Sequence, residues 1–473
     1  MRKLYLVVAI SAMYSTSALA AQPSSLMDVY QLAVQNNADL AAAHANYKAQ
    51  SEVVPQAKAG LLPQIGLGAG IESSRTTVNT ATSNMPLVGT VPGSKNTSNR
   101  NGHVYQASLS QPLFRLDRWY QLKAAKAVNE QATIELSAVE QSLILNSAEI
   151  YFAILRAQDN LATTKAEEKA FKRQFDQANE AFKVGLTDKT DVLQAQAAYD
   201  ATRANRILAE RMVKDGFEAL TTLTNTELDA IEGIKHSLPV LAPVPNNAQQ
   251  WVDTATQQNL QLQAINYAVD AASESVKQRK SGHAPSVDAV IQYRKGDNDA
   301  LGFTNSGSPY APHFRGNAEQ SSIGIQLTIP LYTGGMISSQ VREGVYRLEY
   351  VEQQRESIRR QIVQNTRNYH RAVNTDVEQI QARKQAIISN QSAVEATQVG
   401  YDVGTRNIVD VLDAQRQLYA SVRNYNDARY SYILNNLRLQ QAAGTLSPND
   451  LMALSSYLSP SYNPDKDFLP PIQ

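Results

Sequence analysis

Gln64-Ile65-Gly66-Leu67-Gly68-Ala69-Gly70-Ile71 decides the fold. Ile65, Leu67, Ala69 and Ile71 alternate with Gln64, Gly66, Gly68 and Gly70, so an extended chain puts every apolar side chain on one face. Three further stretches obey the same rule. His103, Tyr105, Ala107 and Leu109 alternate with Val104, Gln106, Ser108 and Ser110. Val287, Ala289, Ile291 and Tyr293 alternate with Ser286, Asp288 and Gln292, with Val290 out of step. Ile323, Ile325, Leu327 and Ile329 alternate with Ser322, Gly324, Gln326 and Thr328. The pattern predicts strands near 63–72, 103–112, 285–294 and 321–331, each about 8–10 residues, the length of a tilted membrane-crossing strand. Pro63 and Pro285 lead into the first strand of each pair, and Pro112 and Pro330 close the second, at ends where no ladder donor is needed. Gly66, Gly68 and Gly70 have the spacing of a dinucleotide loop, but no βαβ unit or acidic partner follows, and they read as the small-residue face of a strand.

Between the strands of each pair lie long polar loops, 75–102 and 295–320, the second carrying Phe303, Tyr310 and Phe314. Loops of this kind suit the outer face of a membrane barrel, although two water-soluble hairpins packed on helices share the same alternation. Backbone polar groups in lipid must all be paired, so a membrane sheet has to close on itself. Single-chain barrels start at about eight strands, so a chain with two hairpins must pool them with other copies: two copies give about eight strands and three about twelve.

The strands sit in a chain written twice. Lys58-Ala59-Gly60-Leu61-Leu62-Pro63 matches Lys280-Ser281-Gly282-His283-Ala284-Pro285, and Leu109-Ser110-Gln111-Pro112-Leu113-Phe114 matches Leu327-Thr328-Ile329-Pro330-Leu331-Tyr332. Val184-Gly185 before Asp191-Val192-Leu193 matches Val403-Gly404 before Asp410-Val411-Leu412. The common offset is about 220 residues, and the order is kept, which divides the chain into a first repeat over 21–240 and a second over 245–460, with a tail at 461–473. Each repeat reads helix, strand, loop, strand, long helix, turn, long helix, with the turns near 185 and 404. Residues 113–184, 345–399 and 405–443 hold neither Gly nor Pro. A helix over 116–183 would run roughly 100 Å at 1.5 Å per residue, far beyond ordinary globular helices. Phe171, Phe175, Ala178 and Phe182 predict one buried stripe. Val411, Leu418, Tyr425, Tyr432 and Leu439 fall seven apart, with small Ala414, Ser421, Ala428 and Ala442 three positions on, the spacing of helices that coil around close neighbours.

Composition narrows the function. The 473 residues hold 44 Lys+Arg and 44 Asp+Glu, which offers no basic excess for nucleic acid. There is no cysteine, which excludes disulfides, thiolate metal sites and thiol catalysis. The six histidines show no metal-ligand spacing, no nucleophile elbow or zincin motif occurs, and the chain reads as neither an enzyme nor a cofactor or metal carrier. Arg2 and Lys3, the apolar run from Leu4, and Ala18-Leu19-Ala20 make residues 1–20 a cleaved export signal.

The segment Gly400-Tyr401-Asp402-Val403-Gly404-Thr405-Arg406-Asn407-Ile408-Val409-Asp410-Val411-Leu412-Asp413-Ala414, with Asp427-Ala428-Arg429-Tyr430 and Ala443-Gly444-Thr445-Leu446 downstream, resembles the TolC family of outer-membrane efflux and type I secretion channels, non-lipidated branch. Val184 to Val192 is its first-repeat counterpart. The resemblance covers essentially the whole mature chain. It implies a mainly α fold with four membrane strands per chain, joined in a homotrimer with a shared β-barrel in outer-membrane lipid and a long α-helical barrel across the periplasm. Residues near 226–250 and after 445 would form a mixed belt around it. The partners implied are a periplasmic membrane-fusion adaptor and an inner-membrane transporter of RND or ABC type. A pore-less periplasmic coiled-coil scaffold or adaptor is the alternative that the helices alone allow.

Asp410 and Asp413 lie at i and i+3 and share a helix face. Asn407-x-x-Asp410 also has the spacing of a helix cap, as does Asp188-x-x-Asp191, and the two roles are compatible. The resemblance makes Asp410 and Asp413 the pore constriction, where threefold symmetry would collect their carboxylates into a cation-binding ring. It also implies a closed-state latch of Tyr401 and Arg406 on Thr190 and Asp191, with Arg429 as a charge contact between helices. Gly185 and Gly404 supply the positive φ that a tight turn needs. The resemblance adds the tips Val184, Gly185, Leu186, Val403, Gly404 and Thr405 as adaptor-docking residues.

Overall fold

The structure is a computed structural model that describes residues 23–86, 88–297 and 317–470. The export signal, the loop aromatics Phe303, Tyr310 and Phe314, and the last three residues lie outside them. In chain order, α1 (Leu26–Asn36), α2 (Ala38–Ser51) and α3 (Val53–Ala59) precede β1 (Gln64–Asn79), β2 (Ser83–Met85), β3 (Gly89–Val91) and β4 (Lys95–Phe114). Then follow α4 (Leu116–Lys183), α5 (Lys189–Thr224), β5 (Gly233–Ile234), α6 (Ala248–Gln258) and α7 (Leu260–Lys280). The second half continues with β6 (Ser286–Asp297), β7 (Asn317–Thr328), α8 (Met336–Asp402), α9 (Ile408–Ala443), α10 (Pro448–Ser455), β8 (Leu458–Ser459) and α11 (Pro464–Asp467). The chain forms two compact units. One holds residues 47–133 and 264–356; the other holds 23–46, 134–263 and 357–470, so the division falls inside α2, α4, α7 and α8.

The first unit is built on an antiparallel sheet ordered β1-β4-β6-β7. Its register aligns the predicted apolar faces: Ile65 opposes Leu109, which opposes Ile291, which opposes Ile323. Leu67, Ala107 and Tyr293 form the next row. The other face carries Gly66, Ser108, Gln292 and Ser322 in one row. The apolar face is uncovered: Leu67 is 85% exposed, Ile71 91% and Ile323 81%. Burying side chains of this size stabilises by about 1.5–3 kcal/mol each, so water is the wrong solvent for this face.

Several strand boundaries differ from the sequence expectation: β6 runs on to Asp297, and β7 spans Asn317–Thr328 rather than 321–331. β1 and β4 run past the expected strand ends into the polar stretch read as a loop, pairing as far as Asn79 with Lys95. Cross-strand contacts such as Ser73 Oγ donating to Asn101 Oδ1 at 2.7 Å and Thr77 against Thr97 at 3.3 Å hold this polar extension, where both faces are hydrophilic and no period-two signal exists. Pro112 does not close its strand. β4 continues to Phe114 over a bulge at Leu113, since Pro112 opposes Asp288 and Phe114 opposes Val287. Arg115 anchors the exit, 3.1 Å from Asp117 and 3.2 Å from Asp288.

The helical unit packs its portions of α4 and α8 with α5 and α9. Tyr151, Phe152, Ile154 and Leu155 of α4, Ile387 of α8, and Ile433 and Leu437 of α9 are buried in one core. The seven-residue stripe of α9 is realised: Val411, Tyr425, Tyr432 and Leu439 are buried, with small Ser421 and Ala428 beside them. Of the α4 stripe, Phe171 and Ala178 are buried, whereas Phe182 is exposed because it lies in the last turn before the chain reverses. Short elements complete this unit: β5 pairs with β8, and Ser24 bridges to Ile231.

Candidate functional site at the hairpin turns

Both long hairpins of the helical unit reverse by the same device. At the first, Gly185 has φ +77°, its N–H donates to Phe182 O at 3.0 Å, and Leu186 N–H donates to Ala181 O at 2.8 Å. At the second, Gly404 has φ +78°, its N–H donates to Tyr401 O at 3.0 Å, and Thr405 N–H donates to Gly400 O at 2.8 Å. This paired closure satisfies the last carbonyls of α4 and α8, and only glycine takes the left-handed backbone without strain. Three residues on, each next helix is capped. Asp188 accepts from Asp191 N–H at 3.0 Å. Asn407 accepts from Asp410 N–H at 2.9 Å while Asp410 accepts from Asn407 N–H at 3.3 Å, a reciprocal box.

The capping role of Asp410 is therefore real. Its carboxylate keeps an exposed edge and lies 3.9 Å from Arg406. Asp413 is exposed and pairs with Arg416 one turn on. Thr187 donates to Asp191, which thereby stays within its own turn. Within the chain Tyr401 makes no hydrogen bond to Thr190 or Asp191 among the described residues, although Asp191 lies within electrostatic reach. Burial pushes the Tyr401 phenol up, and Asp191 and Asp402 add to it. Tyr401 packs against a small cluster of Phe171, Ile408 and Leu412, and Gln174 Nε2 donates to Gln398 Oε1 at 2.9 Å, so the two hairpins meet near their turns. Val184, Leu186 and Val403 project as exposed apolar side chains beside Gly185, Gly404 and Thr405.

Arg429 does not join this group. It lies about 28 Å along α9 from Asp410 at 1.5 Å per residue. There it is buried, donates to Lys235 O at 3.0 Å and stands over the Tyr425 ring at 5.8 Å. Its neighbourhood is a polar cluster that no local pattern foretold. Asp159 is buried and accepts from the hydroxyls of Tyr430 and Tyr462, each at 2.7 Å. Burial pushes the Asp159 carboxyl up against the opposing pull of both tyrosines and Arg429. Arg416 as the partner of Asp413 was readable from its i+3 spacing. Asp159, Tyr430 and Tyr462 come together from three distant parts of the chain, which leaves no sequence signal.

A four-stranded sheet with one apolar exposed face, together with long capped α-hairpins, defines the class as a subunit of an outer-membrane channel. The chain belongs to the outer membrane efflux protein family, whose model matches residues 29–226 and 251–445. It is 34% identical to the outer membrane protein TolC of Vibrio cholerae over 97% of this chain and 99% of that one. It is 25% identical to the proteases secretion protein PrtF of Dickeya chrysanthemi, covering 95% of this chain and 94% of the other. The crystal structure of the outer membrane protein VceC from Vibrio cholerae has the same fold, with a TM-score of 0.72 at 18% identity over 89% of this chain and 96% of that one. The protein is thus an outer-membrane exit duct of efflux and secretion systems.

Proposed function

We propose that three copies assemble into one channel, each supplying its four strands to a common barrel in the outer membrane and its α-hairpins to a periplasmic tunnel. The observation that carries this reading is the sheet itself. β1 and β7 each pair on one side only among the described residues, and the face between them is apolar and uncovered. An open edge is not tolerated in lipid, and cyclic symmetry closes it. A pore-less scaffold gives no reason for that face.

The hairpin turns form the periplasmic end. Asp410 and Asp413 make the constriction and its cation-binding ring, with Arg406 and Arg416 as the internal counter-charges that a bound cation has to displace. Tyr401 and Arg406 latch the closed state on Thr190 and Asp191 of an adjoining hairpin. Exposed pairs are worth about 0–1 kcal/mol each, so such a latch holds by number and symmetry and remains easy to open. Arg429, buried in the α9 core, serves as a brace between helices rather than as part of the latch. Val184, Leu186 and Val403 offer apolar knobs to a periplasmic adaptor, and an inner-membrane transporter drives cargo through the passive duct. Small toxic molecules and secreted proteins are both fitting cargo. The test is single-channel conductance in planar bilayers: Tyr401→Phe with Arg406→Ser raises it, and Asp410→Ala with Asp413→Ala abolishes block by a trivalent cation. Unchanged conductance removes the latch, and persistent block removes the ring.

A further inference from the structure

The sheet unit is joined to its helices by four passages, residues 53–63, 113–126, 276–285 and 331–342. Together they carry nine Lys or Arg and one carboxylate, Asp117, in a chain that balances 44 against 44 overall. Asp117 is already engaged by Arg115. Lys277 pairs with Glu274 and Arg279 with Glu343. Lys58, Lys123, Lys126 and Lys280 are exposed and have no carboxylate partner among the described residues. The last turns of α3 and α7 account for Lys58 and Lys280 locally, because a helix C-terminus favours cations. Lys123 and Lys126 have no such reason.

Lys123 is instead held by aromatic faces, its Nζ 5.9 Å from the Trp119 ring centre and 5.6 Å from that of Tyr120. Trp119 is half-exposed, and Leu331 and Tyr332, in the passage that follows β7, are almost fully exposed at 93% and 88%. The passages are contiguous on each side. A side chain at Gly60 would sit 3.4 Å from Arg118, and one at Gly282 would sit 3.1 Å from Ile337. Apolar rings beside unpaired cations, directly continuing a lipid-facing sheet, have the chemistry of a membrane interface.

We propose that this rim is a collar for the headgroups of anionic glycerophospholipid in the leaflet at this end of the sheet. Trp119 and Tyr120 seat at the interface, and Lys58, Lys123, Lys126 and Lys280 contact the phosphate diesters. The inference rests on the sheet lying in a membrane. Charge complementarity selects the occupant, since a zwitterionic headgroup already balances its phosphate with its own ammonium and leaves no net negative charge for four lysines, and a hydrocarbon surface offers no anion at all.

The full chain is reconstituted in nanodiscs of equimolar phosphatidylethanolamine and phosphatidylglycerol, and the lipid it retains through partial delipidation is quantified by mass spectrometry. Retained lipid is enriched in phosphatidylglycerol by about threefold or more over the bulk, and enrichment fades at high salt. The combined Lys58→Gln, Lys123→Gln, Lys126→Gln and Lys280→Gln variant returns to the bulk ratio, and Lys123→Gln alone loses part of the enrichment, which keeps the test sound if the fourfold variant assembles poorly. A native chain that retains both lipids equally overturns the collar, as does undiminished enrichment in Lys123→Gln. Amine acetylation in lipid-free non-ionic detergent labels all four lysines; protection there assigns them to a contact between copies and also overturns the proposal. A chain that fails to enter the bilayer refutes the membrane sheet itself, whereas one that enters and retains lipid indiscriminately refutes only the collar.

Discussion

Acidification should loosen the C-terminal segment that crosses the helical unit, and His236 should be the cause. Its Nε2–H donates to Asp467 O at 2.6 Å, its ring stacks on Tyr425 at 6.4 Å, and its Nδ1 is buried without a partner among the described residues. Protonation would place a second cation beside Arg429. Burial and then Arg429 push the imidazole down from 6.5 to about 4, with Lys384 adding and Asp467 opposing. The folded value lies below the unfolded one, so the stabilisation is complete above pH 6.5 and is lost as pH falls toward 4. That gap corresponds to about 3 kcal/mol, and the ring's partial exposure trims it toward about 2 kcal/mol. Asp159 acts in the opposite sense: its carboxyl is pushed up, so its contribution is lost as pH rises. A difference between native and variant chains isolates the histidine. The reporter is the Lys235 amide, which donates to Tyr457 O at 3.0 Å across the β5–β8 junction. Its hydrogen-exchange protection, corrected for intrinsic rates, should fall about 30- to 100-fold from pH 7 to pH 4 in the native chain. In His236→Gln, whose amide can still donate to Asp467 O, the profile should be shallower by that amount. Parallel profiles in the two chains would refute the reasoning.

Four further outcomes follow from the geometry. Asn407→Ala removes the cap of α9 and should cost about 1 kcal/mol, read as faster exchange in the first turn of that helix with the α9 core unaffected. Gly404→Ala forces a side chain into φ +78° and should cost about 1–2 kcal/mol, read as protease cleavage near the turn, with Gly185→Ala behaving alike. Leu67→Arg puts a charge on the uncovered face and should lower stability in bilayers by about 2–4 kcal/mol, measured by denaturant unfolding; an effect below about 0.5 kcal/mol would place that face in water. Arg416→Gln releases Asp413 from its internal partner and should tighten trivalent-cation block of conductance severalfold, whereas weaker block would mean that Arg416 helps to shape the site.

The long helices were legible from stretches without Gly or Pro, and Leu116–Lys183 begins and ends where that reading places it, whereas α5 and α8 also absorb Gly216, Gly344 and Gly400. The sheet was legible wherever one face is apolar. It ceased to be legible where Ser73, Thr77 and Asn101 make both faces polar, because alternation then carries no contrast, and the strands run on unannounced. Pro112 misled for a related reason: a bulge absorbs the missing donor, and the ladder resumes at Phe114. At the turns, caps and glycines could be read from spacing, since their partners are three or four residues away. The setting of Arg429 could not, since Lys235 O and Asp159 reach it through tertiary packing, and only the Tyr425 ring four residues back on α9 is a local partner. Residues bonded to near neighbours announce themselves, and those bonded across the fold do not.

The proposed assembly requires that no single chain closes its own sheet. With no native cysteine in the way, one cysteine on the β1 edge (Ile65, Leu67 or Ala69) can be combined with one on the β7 edge (Ile323, Ile325 or Leu327) and the assembly oxidised in membranes. At least one pair should yield a denaturing-gel ladder of monomer, dimer and trimer that stops at three and needs both cysteines. Only monomers across the whole panel, or a ladder ending at two copies or continuing past three, would contradict it.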